Sequence, residues 1–211
     1  MNINGNYVIS KNSINVLGVQ FDSKLNWVEH ISLALLKTNK SLNAIRLIKR
    51  FFTCGELLQI VTSNVFSIMY YNAEIWHVPC LNVNVKQKLL SMSAKIIRVC
   101  MRNVDYNVSF ERIHSINKRA TPEKIMLYRH ALMLYKLYNG NEQTTEWVHL
   151  NLNQVLTSRQ TKFKITKTNQ SKIGLNAPSN RLSILNDMIP LELMNLGRET
   201  FKIKMKSMFL G

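Results

Sequence analysis

The side chains best suited to catalysis in this chain are its aspartates, and they are widely separated in sequence. They are Asp22, Asp105 and Asp187. Two-metal phosphoryl transfer needs carboxylates held a few ångströms apart, and no F/Y-x-D-D, D-x-D or E-x-x-D motif occurs here. We therefore expect no catalytic residues in this chain, and we interpret the aspartates as helix-capping and turn residues.

The histidines and cysteines also lack the spacing of a metal site. The cysteines are odd in number and form no C-x-x-C pair: Cys54, Cys80 and Cys100. The five histidines are scattered: His30, His77, His114, His130 and His149. This pattern disfavours a structural zinc site and a disulfide framework. We expect no metal and no cofactor in this chain, with thiols that stay reduced.

Charge is the strongest positive signal. The chain has 28 Lys and Arg against 12 Asp and Glu in 211 residues, a formal net charge of +16. Such an excess favours sequence-independent binding to RNA or DNA through phosphates, although a basic surface without a partner is the alternative. Aromatic residues lie at helical spacing among apolar ones, so we expect them in the core: Tyr70, Tyr71, Trp76, Tyr128, Tyr135 and Tyr138.

Composition also limits the fold and the location. Hydrophobic residues make up 46% of the chain, while only 7 Gly and 4 Pro are present, which argues for a mainly helical domain and against a turn-rich sandwich. The first residues lack a basic and apolar leader, and no apolar run is long enough to span a membrane. We expect a nuclear or cytoplasmic protein that is neither secreted nor in a membrane.

The elements that would carry these residues can be placed from periodicity and caps. A β-hairpin is predicted over residues 7–21, with a turn at 10–13 and one strand from Ile14 to Phe21. A helix capped by Asn26 and running to about residue 50 buries Val28, Ile31, Leu35, Leu42 and Ile45. A second helix restarts at the capping box Thr53-Cys54-Gly55-Glu56.

Further helices are predicted over residues 83–101 and 109–116, and from Thr121-Pro122-Glu123 to Gly140. The signals after residue 140 are weaker. They indicate a helix over 146–156, a strand over 162–166 and a final helix over 198–210 that turns Phe201 and Met205 inward. Residues 155–211 carry ten basic and three acidic residues, so we treat 141–211 as a basic tail.

The segment VLGVQFDSKLNWVEHI, residues 16–31, resembles the region after the palm in reverse transcriptases of non-LTR retrotransposons of the jockey and CR1 kind. In that family the string forms a primer-grip hairpin and leads into the thumb. The resemblance continues over most of the chain, in Ser41 to Lys49, Leu57 to Trp76, Gln87 to Arg98, Thr157 to Arg159 and Arg181 to Lys206. One departure is Asn72, where the family has glycine, and another is the lack of a terminal cysteine-histidine knuckle.

The resemblance implies the carboxy-terminal piece of an RNA-directed DNA polymerase. Its palm, with the catalytic aspartates and their magnesium, would lie upstream of Met1. The partners would be a template–primer of RNA and DNA and the rest of the polymerase. It implies a primer-grip-like hairpin over 1–24, a thumb-like helical domain over 25–140 and the basic tail. The residues it assigns to nucleic-acid contact are Leu17, Gly18, Val19, Lys37, Lys40, Lys86, Lys95, Arg98 and Arg102.

Two other classes compete with this hypothesis. One is a structural or interaction protein whose helices dock on a partner while the charge keeps it soluble. The other is a decayed retroelement product without a selected role. Salt-sensitive binding to a duplex would separate the polymerase fragment from both, because only phosphate contacts release counterions.

Overall fold

A computed structural model describes residues 2–3, 6–7, 11–77, 81–101, 107–139, 152–157, 160–165 and 184–211 of the chain. These residues are mainly helical, as predicted, and a short antiparallel hairpin precedes the helices. The strands are β1 Asn2–Ile3, β2 Asn6–Tyr7, β3 Ser13–Val16, β4 Val19–Asp22, β5 Leu152–Thr157 and β6 Gln160–Ile165. The helices are α1 Val28–Ile48, α2 Cys54–Met69, α3 Ala73–Trp76, α4 Val83–Cys100, α5 Phe110–Ile116, α6 Pro122–Asn139, α7 Leu191–Met194 and α8 Arg198–Leu210.

The amino-terminal hairpin reverses at a different place from the predicted one. β3 pairs with β4 in antiparallel register, with Val16 opposite Val19, so the prediction of one strand from Ile14 to Phe21 is wrong. Leu17 and Gly18 both have positive φ, 48° and 82°, which is the backbone of a two-residue type I′ turn. The only turn signal in the sequence is Gly18, and it lies inside a run of β-branched residues that predicts a continuous strand.

Helix α1 begins with a different cap from the predicted one. The residue before the helix is Trp27, in the left-handed region at φ 63°, and Asn26 instead accepts a hydrogen bond from the Val28 N–H through its Oδ1 at 3.0 Å. Val28 is 40% exposed, whereas Ile31, Leu42 and Ile45 of the predicted face are buried. The buried face therefore starts at His30 and Ile31.

Most of the other predicted helix signals are confirmed. Thr53 and Glu56 form the reciprocal capping box at the start of α2, and Ser109 caps α5. Helix α6 starts at Pro122, and α8 occupies residues 198–210 with Phe201 and Met205 fully buried. The predicted helix over 146–156 is wrong within the described residues, because Leu152–Thr157 is a strand paired with β6.

Two main cores hold these elements. The larger one joins the hairpin residue Val19 and Trp27 to α1, α2, α3 and α4, with Trp76 fully buried in it. The prediction that Trp76 lies in the core is confirmed, and its ring centroid lies 5.8 Å from that of His30 on α1. A second core packs α6 against residues 184–211, including a stacked pair of Tyr135 and Phe201.

Candidate nucleic-acid interface

The β3–β4 turn is held against the end of α2 by one tyrosine. The Tyr71 hydroxyl donates a hydrogen bond to the Leu17 carbonyl at 3.1 Å, across 54 residues of sequence. A Cβ added to Gly18 would lie 3.3 Å from Cε1 of Tyr71. Glycine is therefore needed at position 18 for two reasons, its left-handed backbone and the close approach of this ring.

A groove opens beside this contact, and we call it the hairpin groove. Its volume is about 410 Å³, and it lies between the hairpin, one face of α1 and the last turn of α2. Its lining residues are Asn15, Gly18, Gln20, His30, Leu33, Ala34, Lys37, Ser67, Ile68 and Tyr71. These include a cation and amides but no aspartate or glutamate, so the groove suits an anionic ligand.

His30 and Lys37 occupy the same face of α1 because they are seven residues apart. Burial, followed by the nearby charge of Lys37, lowers the pKa of His30 below its usual 6.5. The imidazole is therefore neutral at pH 7, and its Nδ1 accepts a hydrogen bond from the Gln20 N–H at 3.2 Å. This bond fixes β4 to α1 and so fixes the distance between the turn and Lys37.

Five of the nine residues predicted to contact nucleic acid belong to the β3–β4 hairpin or to α1. Gly18 and Lys37 line the hairpin groove, and Leu17, at the tip of the turn, is 86% exposed. Val19 is 1% exposed in the larger core, so its side chain supports the turn from inside. Lys40, one turn of helix beyond Lys37, is exposed to solvent.

The predicted cations of α4 lie elsewhere and are engaged within the protein. Lys95 donates a hydrogen bond from Nζ to Asn39 Oδ1 at 2.8 Å, which ties α4 to α1. Arg98 donates from Nη2 to the Val108 carbonyl at 2.8 Å, and its guanidinium lies 5.5 Å from the Phe110 ring centroid.

Lys86 is half-buried and borders a separate cavity, near Glu111 and Glu123. Arg102 lies outside the described residues. The predicted set therefore does not form one continuous basic track in the described part of the chain. Two of its α4 members, Lys95 and Arg98, instead bond to α1 and to the loop before α5.

Tyr71 and His30 line the groove but are not among the residues predicted to contact nucleic acid. The prediction that Tyr71 lies in the core is wrong, because its side chain is 49% exposed while Tyr70 is 4% exposed. Consecutive residues at a helix end point about 100° apart, so Tyr70 and Tyr71 face different directions. This geometric signal was available in the sequence.

The position at which the chain departs from the resembling family also has a structural explanation. Asn72 follows Tyr71 and adopts φ 49° in the left-handed region, which glycine and asparagine enter at least cost. The asparagine therefore permits the same backbone reversal as glycine. The short helix α3 then brings Trp76 into the core, where its Nε1 donates to the Tyr71 carbonyl at 2.7 Å.

Two of the three aspartates lie in the described part of the chain, and they are far apart in sequence. Asp22 accepts three backbone hydrogen bonds, from Lys24 and Asn26 through Oδ1 and from Trp27 through Oδ2, as expected for a turn and capping residue. Asp187 is exposed. Among the residues that the structure describes, no group of three or more His, Cys, Asp or Glu side chains is arranged to hold a metal ion.

Within the described ranges, no helix has the length and apolar content that crossing a membrane requires.

No protein-family model, curated protein or solved structure matches this chain.

Proposed function

We propose that this chain binds a template–primer duplex of RNA and DNA as the carboxy-terminal part of a non-LTR retrotransposon reverse transcriptase. The observation that supports the proposal most is the hairpin groove, where the Leu17-Gly18 turn, the exposed ring of Tyr71 and Lys37 meet without an acidic neighbour in the lining. In the resembling family this hairpin supports the primer end. The net charge of +16 gives the sequence-independent attraction.

Each groove element would have a distinct role in binding. Lys37 and Lys40 would contact phosphates from neighbouring turns of α1. The turn would bring its backbone close to the primer strand because Gly18 has no side chain. Tyr71 donates its hydroxyl proton to Leu17, so its contribution to a ligand would be the ring face, which can pack on a sugar or a base.

In this hypothesis, a palm domain upstream of this chain would catalyse nucleotide addition. The described residues hold the duplex, and magnesium with its aspartates would be supplied upstream. Phosphate contacts position a duplex without reading its bases, so binding should show little sequence preference.

The first test is the salt dependence of binding. Fluorescence anisotropy of a labelled RNA–DNA hybrid should give log K falling against log salt, with a slope near −4 to −5 if about five phosphates are neutralised. Lys37→Gln with Lys40→Gln should make this slope shallower by about 2, roughly one for each phosphate contact removed. A slope near zero for the unaltered chain would refute the proposal.

A matched control separates the groove from general charge. Lys88 and Lys124 are exposed on α4 and α6 and do not line the hairpin groove, so Lys88→Gln with Lys124→Gln removes the same charge elsewhere. We expect this variant to keep nearly the original slope. Lys95→Gln tests the α4 part of the prediction, and a change no larger than that of the control would restrict the interface to the groove side.

A non-enzymatic interaction protein is the second candidate, and one observation favours it. The hairpin exposes three apolar side chains at its tip and outer strand: Ile14 at 52%, Val16 at 45% and Leu17 at 86%. A contiguous exposed apolar patch is typical of a protein interface. If the unaltered chain shows no salt-sensitive duplex binding but associates with a protein partner, and Leu17→Ser abolishes that association, this candidate would replace the first.

A further inference from the structure

Another cavity is lined by a largely different set of α2 residues from the hairpin groove, and we call it the α2–α8 cavity. Its volume is about 840 Å³, within the range of small-molecule sites. Six apolar side chains from four helices form much of its wall: Leu58, Phe66, Ile97, Ile125, Ile203 and Leu210.

The charged side chains that line this cavity are all cationic. Lys118, Arg119 and Lys206 line it and are exposed to solvent, and no aspartate or glutamate side chain is part of the lining. Among the described residues, none of these three cations forms a salt bridge with a carboxylate. Their charge is therefore available to a ligand.

A fourth cation at the cavity has a different role. Arg129 is paired with Glu74 at 2.8 Å and also donates to the Tyr70 carbonyl. It therefore fixes α6 to α3 and to the end of α2. The three cations without a carboxylate partner come instead from the residues that connect α5 to α6 and from α8.

Two polar side chains of the wall, both on α2, donate to carbonyls of their own helix. Thr62 donates its hydroxyl proton to the Leu58 carbonyl, and Ser67 donates to the Asn64 carbonyl at 3.0 Å. These residues therefore have no proton left to offer a nucleobase edge. The apolar part of this wall suits an aliphatic body, which requires no hydrogen bond.

We propose that the α2–α8 cavity binds an amphiphilic anion of the long-chain carboxylate class. The aliphatic chain would pack against Phe66, Ile97 and Ile125, and the carboxylate would lie at the mouth beside Lys118, Arg119 and Lys206. Ile203 belongs to this mouth and is 68% exposed, an unfavourable position for isoleucine that an aliphatic ligand would cover. This inference does not depend on the proposed duplex binding.

The test is a calorimetric titration of the full chain with dodecanoate, kept below the concentration at which it aggregates. We expect saturable binding at one site. Dodecyltrimethylammonium, which has the same alkyl chain with the opposite charge, should bind at least about tenfold more weakly, since charge-assisted contacts would be lost.

Matched charge variants locate the site. Lys118→Gln with Lys206→Gln should weaken dodecanoate binding by about tenfold or more. Lys124→Gln with Lys204→Gln removes the same charge from exposed positions of α6 and α8 outside the lining, and it should bind like the original chain. All four lysines are on the surface, so both variants should keep their melting temperature.

Three results would overturn the proposal. The first is an equal loss of dodecanoate affinity in the two double variants, which would indicate general attraction to a basic protein. The second is equal binding of the cationic amphiphile. The third is displacement of dodecanoate by ATP at lower concentration than by a longer carboxylate, which would assign the cavity to a nucleotide.

Discussion

Replacing Asp22 by alanine should destabilise the protein, because one carboxylate holds the loop between the hairpin and α1. Its Oδ1 accepts hydrogen bonds from the Lys24 and Asn26 N–H groups at 3.0 and 3.1 Å, and its Oδ2 accepts from the Trp27 N–H at 2.9 Å. The bond to Trp27 is half-buried, and the other two are exposed. Trp27 is itself 1% exposed, at φ 63°.

The magnitude follows from counting these bonds. A typical intramolecular hydrogen bond contributes about 0.5–1.5 kcal/mol net, and more when the acceptor is charged. With two exposed bonds at the low end and one half-buried bond at the high end, Asp22→Ala should lower the free energy of unfolding by about 2–3 kcal/mol. Asp22→Asn keeps one oxygen for Lys24 and Asn26 but places an NH₂ group toward Trp27, so it should cost about half as much.

Urea unfolding followed by tryptophan fluorescence measures this prediction. The midpoint should fall while the slope m stays constant, since the core exposed on unfolding is the same. Asp187→Ala is the control, because Asp187 is exposed and its loss should change stability by less than about 0.5 kcal/mol. An Asp22→Ala protein as stable as the control would refute the structural role, and loss of duplex binding at full stability would place Asp22 at the ligand instead.

Four further predictions can be measured on the same protein. Trp76→Ala should cost about 3–5 kcal/mol of stability because a fully buried indole leaves a cavity; an unchanged melting temperature would contradict this. Gly18→Ala should lower the free energy of unfolding by at least about 1–2 kcal/mol, because alanine is strained in the left-handed backbone of this position. Adding Tyr71→Ala should restore only the part of this loss that comes from the contact with the ring, which a double-mutant cycle in urea would measure. Burial lowers the pKa of His30 and of His114 below 6.5, so the unfolded chain binds protons more readily near that pH. The free energy of unfolding should therefore be highest above pH 6.5 and should fall as the pH drops through the lower folded pKa values. Equal urea midpoints at about pH 7.5 and about pH 5.5 would exclude this linkage. The purified chain should extend no primer with magnesium, because it lacks a carboxylate pair for two metal ions, and extension abolished by EDTA would contradict that expectation.

Local signals in the sequence were sufficient where a short segment determines its own structure. The capping box at Thr53 and Glu56, the Pro122 helix start and the inward face of α8 at Phe201 and Met205 are all confirmed, because caps and 3.6-residue periodicity act within one or two turns. The same reasoning misplaced the hairpin turn. There the alternatives differ by one glycine with positive φ, and the contact that favours position 18 comes from Tyr71 on another element.

For the candidate site, too, the sequence determined some features and the tertiary structure decided the others. The sequence alone determined the +16 charge, the lack of a clustered carboxylate motif and the set of nine residues that the family resemblance assigns to nucleic acid. Only the tertiary structure decided that Gly18 and Lys37 share one groove, while Lys95 and Arg98 bond to Asn39 and Val108 inside the protein. The physical reason is that composition fixes how much charge a chain carries, whereas the packing of α1, α2 and α4 fixes which charges face solvent and which are used to join helices and loops.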